Sequence, residues 1–555
     1  MTAFVLVSGM FTDAHVWERT AALLTAAGDE VHTVCLTGLG DSGGGTGAQA
    51  TAAPDVDLET HIADVVAVID AVVAAGADAG AGAEGSAGRR GGSSGPDIVL
   101  VGHDYGIHPA VGAADRRAGH VTRIVHLDSG LPQDGVPVLA ALPDGSLRAQ
   151  LAERAEVLGV GGELAAPAGS AEWQRWGSTE GVSDAALDRL TALAAPQPLA
   201  TLLQPLKLTG AAAGVPSTGV LCTRNGASIE MVQTVLNLGD PAMRALADPA
   251  VSFFELPTGH WPMLSCPAEL AEVLRQAAAG GGHRLELPDE SATPPHLQPF
   301  LLDLPDIPRE RAGNVDRYVP EADRYVPEAD RYVPEVDLYV PEAAGARGPL
   351  PAVVVVHGGP VPAGARPTPR EWPTLTGYAR YAAAEGVIGA TVDHRLHDVG
   401  DFPRAAADIA AAVERVRADP RVDADRIALW FFSGSGPLTA DWLASPPPWL
   451  RCLAATYPIM APLPNWGLRG SRFRPARAVA GAGGLPVVLT RAGLETPVIA
   501  GTVEEFLTAA ADCGANVEVV DVPEGHHGFE SLDRTDASRE AVHRAVHAVL
   551  GHLRA

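Results

Sequence analysis

Serine, glutamate and histidine occur here in an order that can support nucleophilic catalysis. Ser433 lies in Phe431-Phe-Ser-Gly-Ser-Gly436, Glu495 just after an apolar strand pattern, and His527 in Glu524-Gly-His-His-Gly-Phe529. A serine hydroxyl is a weak nucleophile, so a histidine must take its proton and a carboxylate must orient that histidine. His357-Gly358-Gly359, after another apolar run, can turn backbone N–H groups toward a developing oxyanion. A second constellation begins at Asp97 to Gly106, DIVLVGHDYG, where Asp104 has glycines two residues before and two after. Strand, sharp turn and helix with that glycine spacing form a nucleophile elbow, whose central residue is held in strained backbone geometry.

The elements that must position these residues read as two passes of one grammar. In the first, strands are predicted at Phe4–Val7, Val31–Cys35, Ile98–Val101, Val121–Leu127, Gly219–Thr223 and Val251–Leu256. Helices are predicted at Leu58–Ala75, from the spacing of Ile62, Val65, Val66, Val68, Ile69 and Val72, and at Pro267–Ala278. Residues 135–215, helical segments broken by Pro and Ala, read as a lid. The second pass has strands at Val336–Val340, Ala352–Val356, Val387–Asp393, Ile427–Trp430, Leu485–Thr490 and Asn516–Asp521, and helices at Pro403–Ala418 and Arg539–Leu553. Alternating strands and helices imply α/β architecture, a mostly parallel sheet with helices on both faces in each half.

At 555 residues the chain exceeds one ordinary domain. The expected organisation is a domain over 1–282, a Pro-rich linker over 283–335 and a second domain over 336–555. The linker contains a seven-residue repeat, Asp316-Arg-Tyr-Val-Pro-Glu-Ala, copied at Asp323 and nearly so at Asp330 and Asp337. Proline in every copy forbids a continuous coiled coil and favours extended segments, so the repeat reads as a tandem expansion beside one strand. Gly76 to Gly95, almost wholly Ala, Gly, Ser and Arg, reads as a disordered insertion. A net charge of −27 argues against nucleic acid and anionic membrane surfaces as partners. Five scattered cysteines disfavour a disulfide framework or a zinc site, and no P-loop or ligand cluster calls for a cofactor or metal. With no signal-peptide core and no apolar run near 20 residues, the expectation is a soluble cytoplasmic protein.

From about 336 to 555 the chain resembles the dienelactone-hydrolase-like and acyl-peptide-hydrolase-like esterases of the α/β-hydrolase superfamily. The motifs are HGGP at 357–360, DHRL at 393–396, DPRVDADRIALWFFSGSG at 419–436, RAGLE at 491–495 and PEGHHGF at 523–529. The resemblance implies Ser433 as nucleophile, Glu495 as acid, His527 as base (chosen over His526 because Gly528-Phe529 follow it) and Gly358, Gly359 and Gly434 as oxyanion residues. The departure is Phe431, where these enzymes carry glycine two before the serine, with Ser435 two after it. A strained or reshaped turn is expected there.

Residues 1 to 282 resemble the α/β-hydrolases that include plant-type methylesterases and hydroxynitrile lyases, through FVLVSGM, LTGLGDS, IVLVGHDYG, IVHLDSGLP and ELPTGHWPML. The resemblance places His260 as base and Gly9, Met10 and Tyr105 around the oxyanion position. Where an acid is expected after Gly219–Thr223 stand Arg224-Asn225-Gly226. Asp104 as nucleophile is similar to haloalkane dehalogenases and epoxide hydrolases, in which an earlier strand end can supply the acid, a place Asp128 suits. Against both stand Met10, where dehalogenases often hold Asn, and a lid without tyrosine. Trp173 and Trp176 are the lid aromatics, and packing is their expected role. The chain thus reads as a hydrolase of small-molecule carboxylic esters or lactones acting at Ser433. Its first domain either uses Asp104, His260 and Asp128, is catalytically silent, or uses His260 for proton transfer. The rival is a non-catalytic ligand- or partner-binding protein that keeps two hydrolase-shaped pockets.

Overall fold

The computed structural model describes residues 2–40, 56–81, 96–158, 161–238, 241–289, 291–311, 332–341, 348–468 and 470–555. It divides into two compact units, Met1–Thr234 with Ala242–Leu287 and Val235–Pro241 with Pro288–Ala555. Both carry the α/β-hydrolase fold.

In the first unit, strands β1 (Thr2–Val7), β2 (Glu30–Val34), β3 (Asp97–His103), β4 (Val121–Leu127), β5 (Ser217–Cys222) and β6 (Val251–Leu256) form an all-parallel sheet in the order 2-1-3-4-5-6. Their near-continuous apolar runs suit strands covered on both faces. Helices α1 (Glu18–Ala26), α2 (Leu58–Ala81), α3 (Ile107–Arg116) and α4 (Pro267–Ala278) cover them, α1 packing on α4 and α2 on α3. The lid contributes helices Gly145–Leu158, Asp184–Ala192 and Leu199–Leu203.

Helix α2 corrects two expectations. It continues past Ala75 to Ala81, because alanine, read in the sequence as low complexity, is also the strongest helix former. By length and composition Leu58–Ala77 is apolar enough to cross a membrane, although no such run was expected. Its Leu58, Ile62, Val65, Ile69 and Val72 are buried in the core, while Glu59 pairs with Arg116 and Asp70 with Arg117. Residues 82–95 of the expected insertion lie outside the described residues.

In the second unit, β7 (Arg309–Arg311), β8 (Val336–Tyr339), β9 (Leu350–Val356), β10 (Ile388–Val392), β11 (Val422–Phe432), β12 (Leu450–Thr456), β13 (Val487–Ala492) and β14 (Val517–Val522) form a sheet in the order 14-13-12-11-9-10-8-7. It is mixed: at one edge β8 pairs antiparallel with both β7 and β10, and the remaining pairs are parallel. Helices α5 (Pro373–Ala384), α6 (Phe402–Arg417), α7 (Pro497–Cys513) and α8 (Asp536–Arg554) complete it.

The linker expected over 283–335 is partly structure. Leu301 is buried, Phe300 packs on Tyr378 of α5, and β7 extends the sheet. Apolar side chains hidden among prolines caused the misreading. The first two heptapeptide copies lie within 312–331, outside the described residues. In the third, Tyr332 lies under Arg395 and the Pro334 carbonyl accepts from Arg415; its last residue, Val336, begins β8, which runs on into the fourth.

That edge is held by buried charge. Arg370, 4% exposed, reaches Asp337 at 2.9 Å and also pairs with Asp393 and Glu335. Burial disfavours its charge, but the three carboxylates outweigh that and raise its pKa. Replacing Arg370 by leucine would leave Asp393 without its cation and Asp337 with only the more exposed Arg309 and Arg311, an expected loss of about 3–5 kcal/mol. Urea denaturation of the full chain tests this, and an unchanged transition would make the cluster energetically neutral.

Candidate active sites

Both elbows hold a non-glycine residue at positive φ, 49° for Asp104 and 52° for Ser433. Such backbone costs on the order of 1–3 kcal/mol and persists only where surroundings over-determine it. At Asp104 the chain turns from β3 into α3, and a Cβ on Gly102 would collide with the backbone of Ile107. At Ser433, Phe431 fills the corresponding position, wholly buried. Both elbows leave through a 3-10 turn into a helix: Asp104–Gly106 into α3, and the longer Ser433–Leu438 into Thr439–Ala444. Apart from that added length the two turns agree, and the backbone angle of the central residue is nearly the same. Ser435 is a staple rather than a second nucleophile: its Oγ accepts from the Phe432 N–H at 3.0 Å and donates to the Phe432 carbonyl at 2.8 Å.

In the second unit the structure brings Ser433, His527 and Glu495 together. Ser433 Oγ lies 2.6 Å from His527 Nε2, and His527 Nδ1 lies 2.5 Å from Glu495 Oε2. His526, its neighbour, turns away to Asp533 at 3.0 Å. The expected oxyanion residues converge on the elbow: Gly358 packs on Ser433, and the Gly359 carbonyl lies so close to Gly434 that only glycine fits there.

That loop rests on two histidines whose rings stack at 3.6 Å, His357 and His394. His357 Nδ1–H donates to the Gly358 carbonyl, while Nε2 accepts from the His394 N–H at 3.3 Å. His394 Nε2–H donates to the His357 carbonyl at 2.9 Å, and its Nδ1 accepts from the Leu396 N–H. Each ring has one donor and one acceptor nitrogen in use, so a further proton would face an N–H. Burial agrees, pushing His357 down to about 4 and His394 well below its usual value.

In the first unit, Asp104, His260 and Asp128 converge. His260 Nδ1 lies 2.6 Å from Asp128 Oδ2, and its Nε2 lies 3.9 Å from Asp104 Oδ1. The other Asp104 oxygen, Oδ2, accepts from the Met10 N–H at 3.2 Å. Gly9 packs against Asp104, and the Tyr105 N–H also bonds its carboxylate. Burial would lift the Asp104 carboxyl, but the charge of His260 and these N–H groups outweigh it and hold it low. Burial likewise disfavours charge on His260, while the hydrogen bond and charge of Asp128, with Asp104, raise it above 6.5. Trp173 packs as expected, buried with its Nε1–H donating to Thr191.

Asn225, set aside in the sequence because it is no carboxylate, belongs to this site. Its Nδ2 donates to Asp128 Oδ2 at 2.7 Å, and its Oδ1 accepts from the Ser178 N–H of the lid. The topologies explain the arrangement. Asp128 follows β4, the place Tyr457 takes after β12, and both have positive φ, 45° and 35°. Glu495 follows β13, the place Asn225 takes after β5. Each unit draws its acid from a different one of two strand ends.

The alpha/beta hydrolase family model matches residues 4–273 and the BD-FAE model residues 336–441. A carbendazim hydrolyzing esterase of Nocardioides sp. is 28% identical over 277 residues, covering 49% of this chain and 98% of its own. Similar solved structures include an extracellular α/β-hydrolase from a Paenibacillus species, 19% identical with TM-score 0.36 over 50% of this chain and 99% of that one. A bacterial heroin esterase is 20% identical with TM-score 0.35, over 46% of this chain and 88% of its own.

The Asp128 carboxylate is the main support for charge on His260, so Asp128→Asn should lower the His260 imidazole pKa, with burial then opposed by Asp104 alone. Imidazole nitrogen NMR across pH 4–9 measures this. A His260 titration that does not move would remove Asp128 as its partner.

Proposed function

We propose that this chain, an esterase-like α/β hydrolase, cleaves small-molecule carboxylic esters or lactones through an acyl-enzyme on Ser433. The observation that carries the reading is the continuous relay from Ser433 Oγ to His527 Nε2 at 2.6 Å and from His527 Nδ1 to Glu495 at 2.5 Å. Ser433 Oγ attacks the carbonyl carbon as its proton passes to His527 Nε2, and Glu495 stabilises the resulting imidazolium. Backbone N–H groups of the Gly358–Gly359 loop and Gly434 are assigned to the oxyanion. His527 then protonates the departing alkoxide, and water, activated by the same histidine, releases the acid. The similarity to an esterase named for carbendazim hydrolysis supports a small-molecule substrate.

A second reading applies to the first unit, favoured by the two different environments of the Asp104 oxygens. Oδ2 is held by the Met10 N–H, while Oδ1 faces His260 at 3.9 Å. A carboxylate so held can attack an alkyl carbon through Oδ1, expelling a leaving group and forming an ester whose carbonyl oxygen stays on Met10. Water activated by His260 would then cleave that ester at the Asp104 carbonyl carbon.

Ser433→Ala should lower kcat/KM for short activated esters at least about a thousandfold and abolish fluorophosphonate labelling. Equal rates would remove Ser433 from the chemistry. For Asp104, a single turnover of an alkyl halide or epoxide in heavy-oxygen water should place label in its carboxylate. Turnover without label would exclude the alkyl-ester route.

A further inference from the structure

We propose that Glu530 is a buried second acid of the Ser433 centre, a positioning residue that acts on His527 through Tyr457. The inference rests on the reading of Ser433, His527 and Glu495 as a hydrolytic triad.

Glu530 stands three residues after His527 in the short helix Phe529–Leu532 and is 1% exposed. Its Oε1 accepts from the Tyr378 hydroxyl at 2.8 Å, whereas Oε2 is buried and accepts no hydrogen bond. The Tyr457 hydroxyl lies beside the same carboxyl, and the Tyr457 ring sits 4.9 Å from that of His527. Aromatic rings close the compartment: Phe432, adjacent to the nucleophile, packs 5.0 Å from Tyr378, and Phe529 packs 5.7 Å from Tyr457. A carboxyl buried among aromatic rings is costly as architecture alone. Here it lies behind the base, reached through the residue at the strand end that holds Asp128 in the first unit.

The titratable groups facing Glu530 are Tyr378 from α5, Tyr457 from the end of β12 and His527 from its own loop. Burial raises the carboxyl from 4.5 to about 7, against the pull of the two hydroxyls and His527. Its charge therefore changes near neutrality. Ionised, it favours the imidazolium that forms when Ser433 gives up its proton. Protonated, it withdraws that support. Unlike Glu495, Glu530 does not bond the imidazole, so its removal should weaken the relay rather than break it.

The test uses the full-length enzyme, a short activated ester and a pH series. In wild type, kcat/KM should show an ionisation near 7 that Glu530→Gln removes. The rate loss should be about tenfold at pH 8 and under about twofold at pH 5.5. Tyr457→Phe should keep the ionisation and move it upward, since the hydroxyl favours the charged carboxylate. A readout independent of turnover is urea stability of Ser433→Ala with and without Glu530→Gln. A carboxyl raised on folding stabilises fully below about 4.5 and loses that contribution as pH rises through about 7. Ser433→Ala should therefore lose stability from pH 5 to 8 relative to the double variant. Equal slopes overturn the titration of Glu530, and a slope difference with identical rate profiles overturns its coupling to His527. An active Ser433→Ala would instead defeat the triad reading, while the stability slopes still judge Glu530.

Discussion

Two residues held where side chains rarely go, Asp104 and Ser433 at positive φ, are what both halves of this molecule are built around. Neither turn is stable by its own propensity. Each is imposed by a central strand that hydrogen-bonds on both sides, β3 between β1 and β4, and β11 between β9 and β12. The strand cannot shift without breaking both ladders, so the residue at its end goes where the sheet sends it. Packing then fixes the direction of exit. The first elbow uses glycine against the Ile107 backbone, while the second has a buried phenylalanine there and a longer 3-10 turn. Different sequences thus reach nearly the same backbone angle.

With the nucleophile position fixed, the fold offers two strand ends from which a carboxylate can reach the histidine, and the units divide them. Asp128 occupies one and Asn225 fills the other with a neutral donor that bonds Asp128. Glu495 occupies the alternative in the second unit, and Tyr457 fills the vacated place beside His527. A second carboxylate at either vacancy would crowd two negative charges around one imidazole. Amide and phenol keep the packing without that repulsion, which is why the exchange is complete in both directions.

Much of this was legible in the sequence because it is local. Apolar runs closed by glycine within a residue or two mark β1, β3 and β9, and the order of Ser433, Glu495 and His527 follows from strand ends alone. What escaped depends on distance or on composition that points two ways. Strand β12, Leu-Arg-Cys-Leu-Ala-Ala-Thr, carries a charge and small residues that dilute its β character. The tail of α2 was hidden in an Ala-Gly tract, and the residues around Leu301 in a proline-rich stretch whose burial depends on α5. Asn225 and Glu530 acquire partners 97 and 152 residues away, Asp128 and Tyr378, which no window can see.

The two centres also differ in what their N–H donors are already holding. In the first unit the Met10 N–H is engaged by Oδ2 of Asp104 itself, so a substrate oxyanion has no place there while Asp104 keeps its geometry. Acyl transfer, which needs that place at the moment charge develops on the carbonyl oxygen, is disfavoured by construction. The serine elbow has no second oxygen on its nucleophile, and Gly358 and Gly359 pack directly over it. Aspartate in place of serine at an elbow is therefore more than the exchange of one oxygen for another, because the N–H that would face a substrate oxygen beside a serine is here already occupied by the carboxylate.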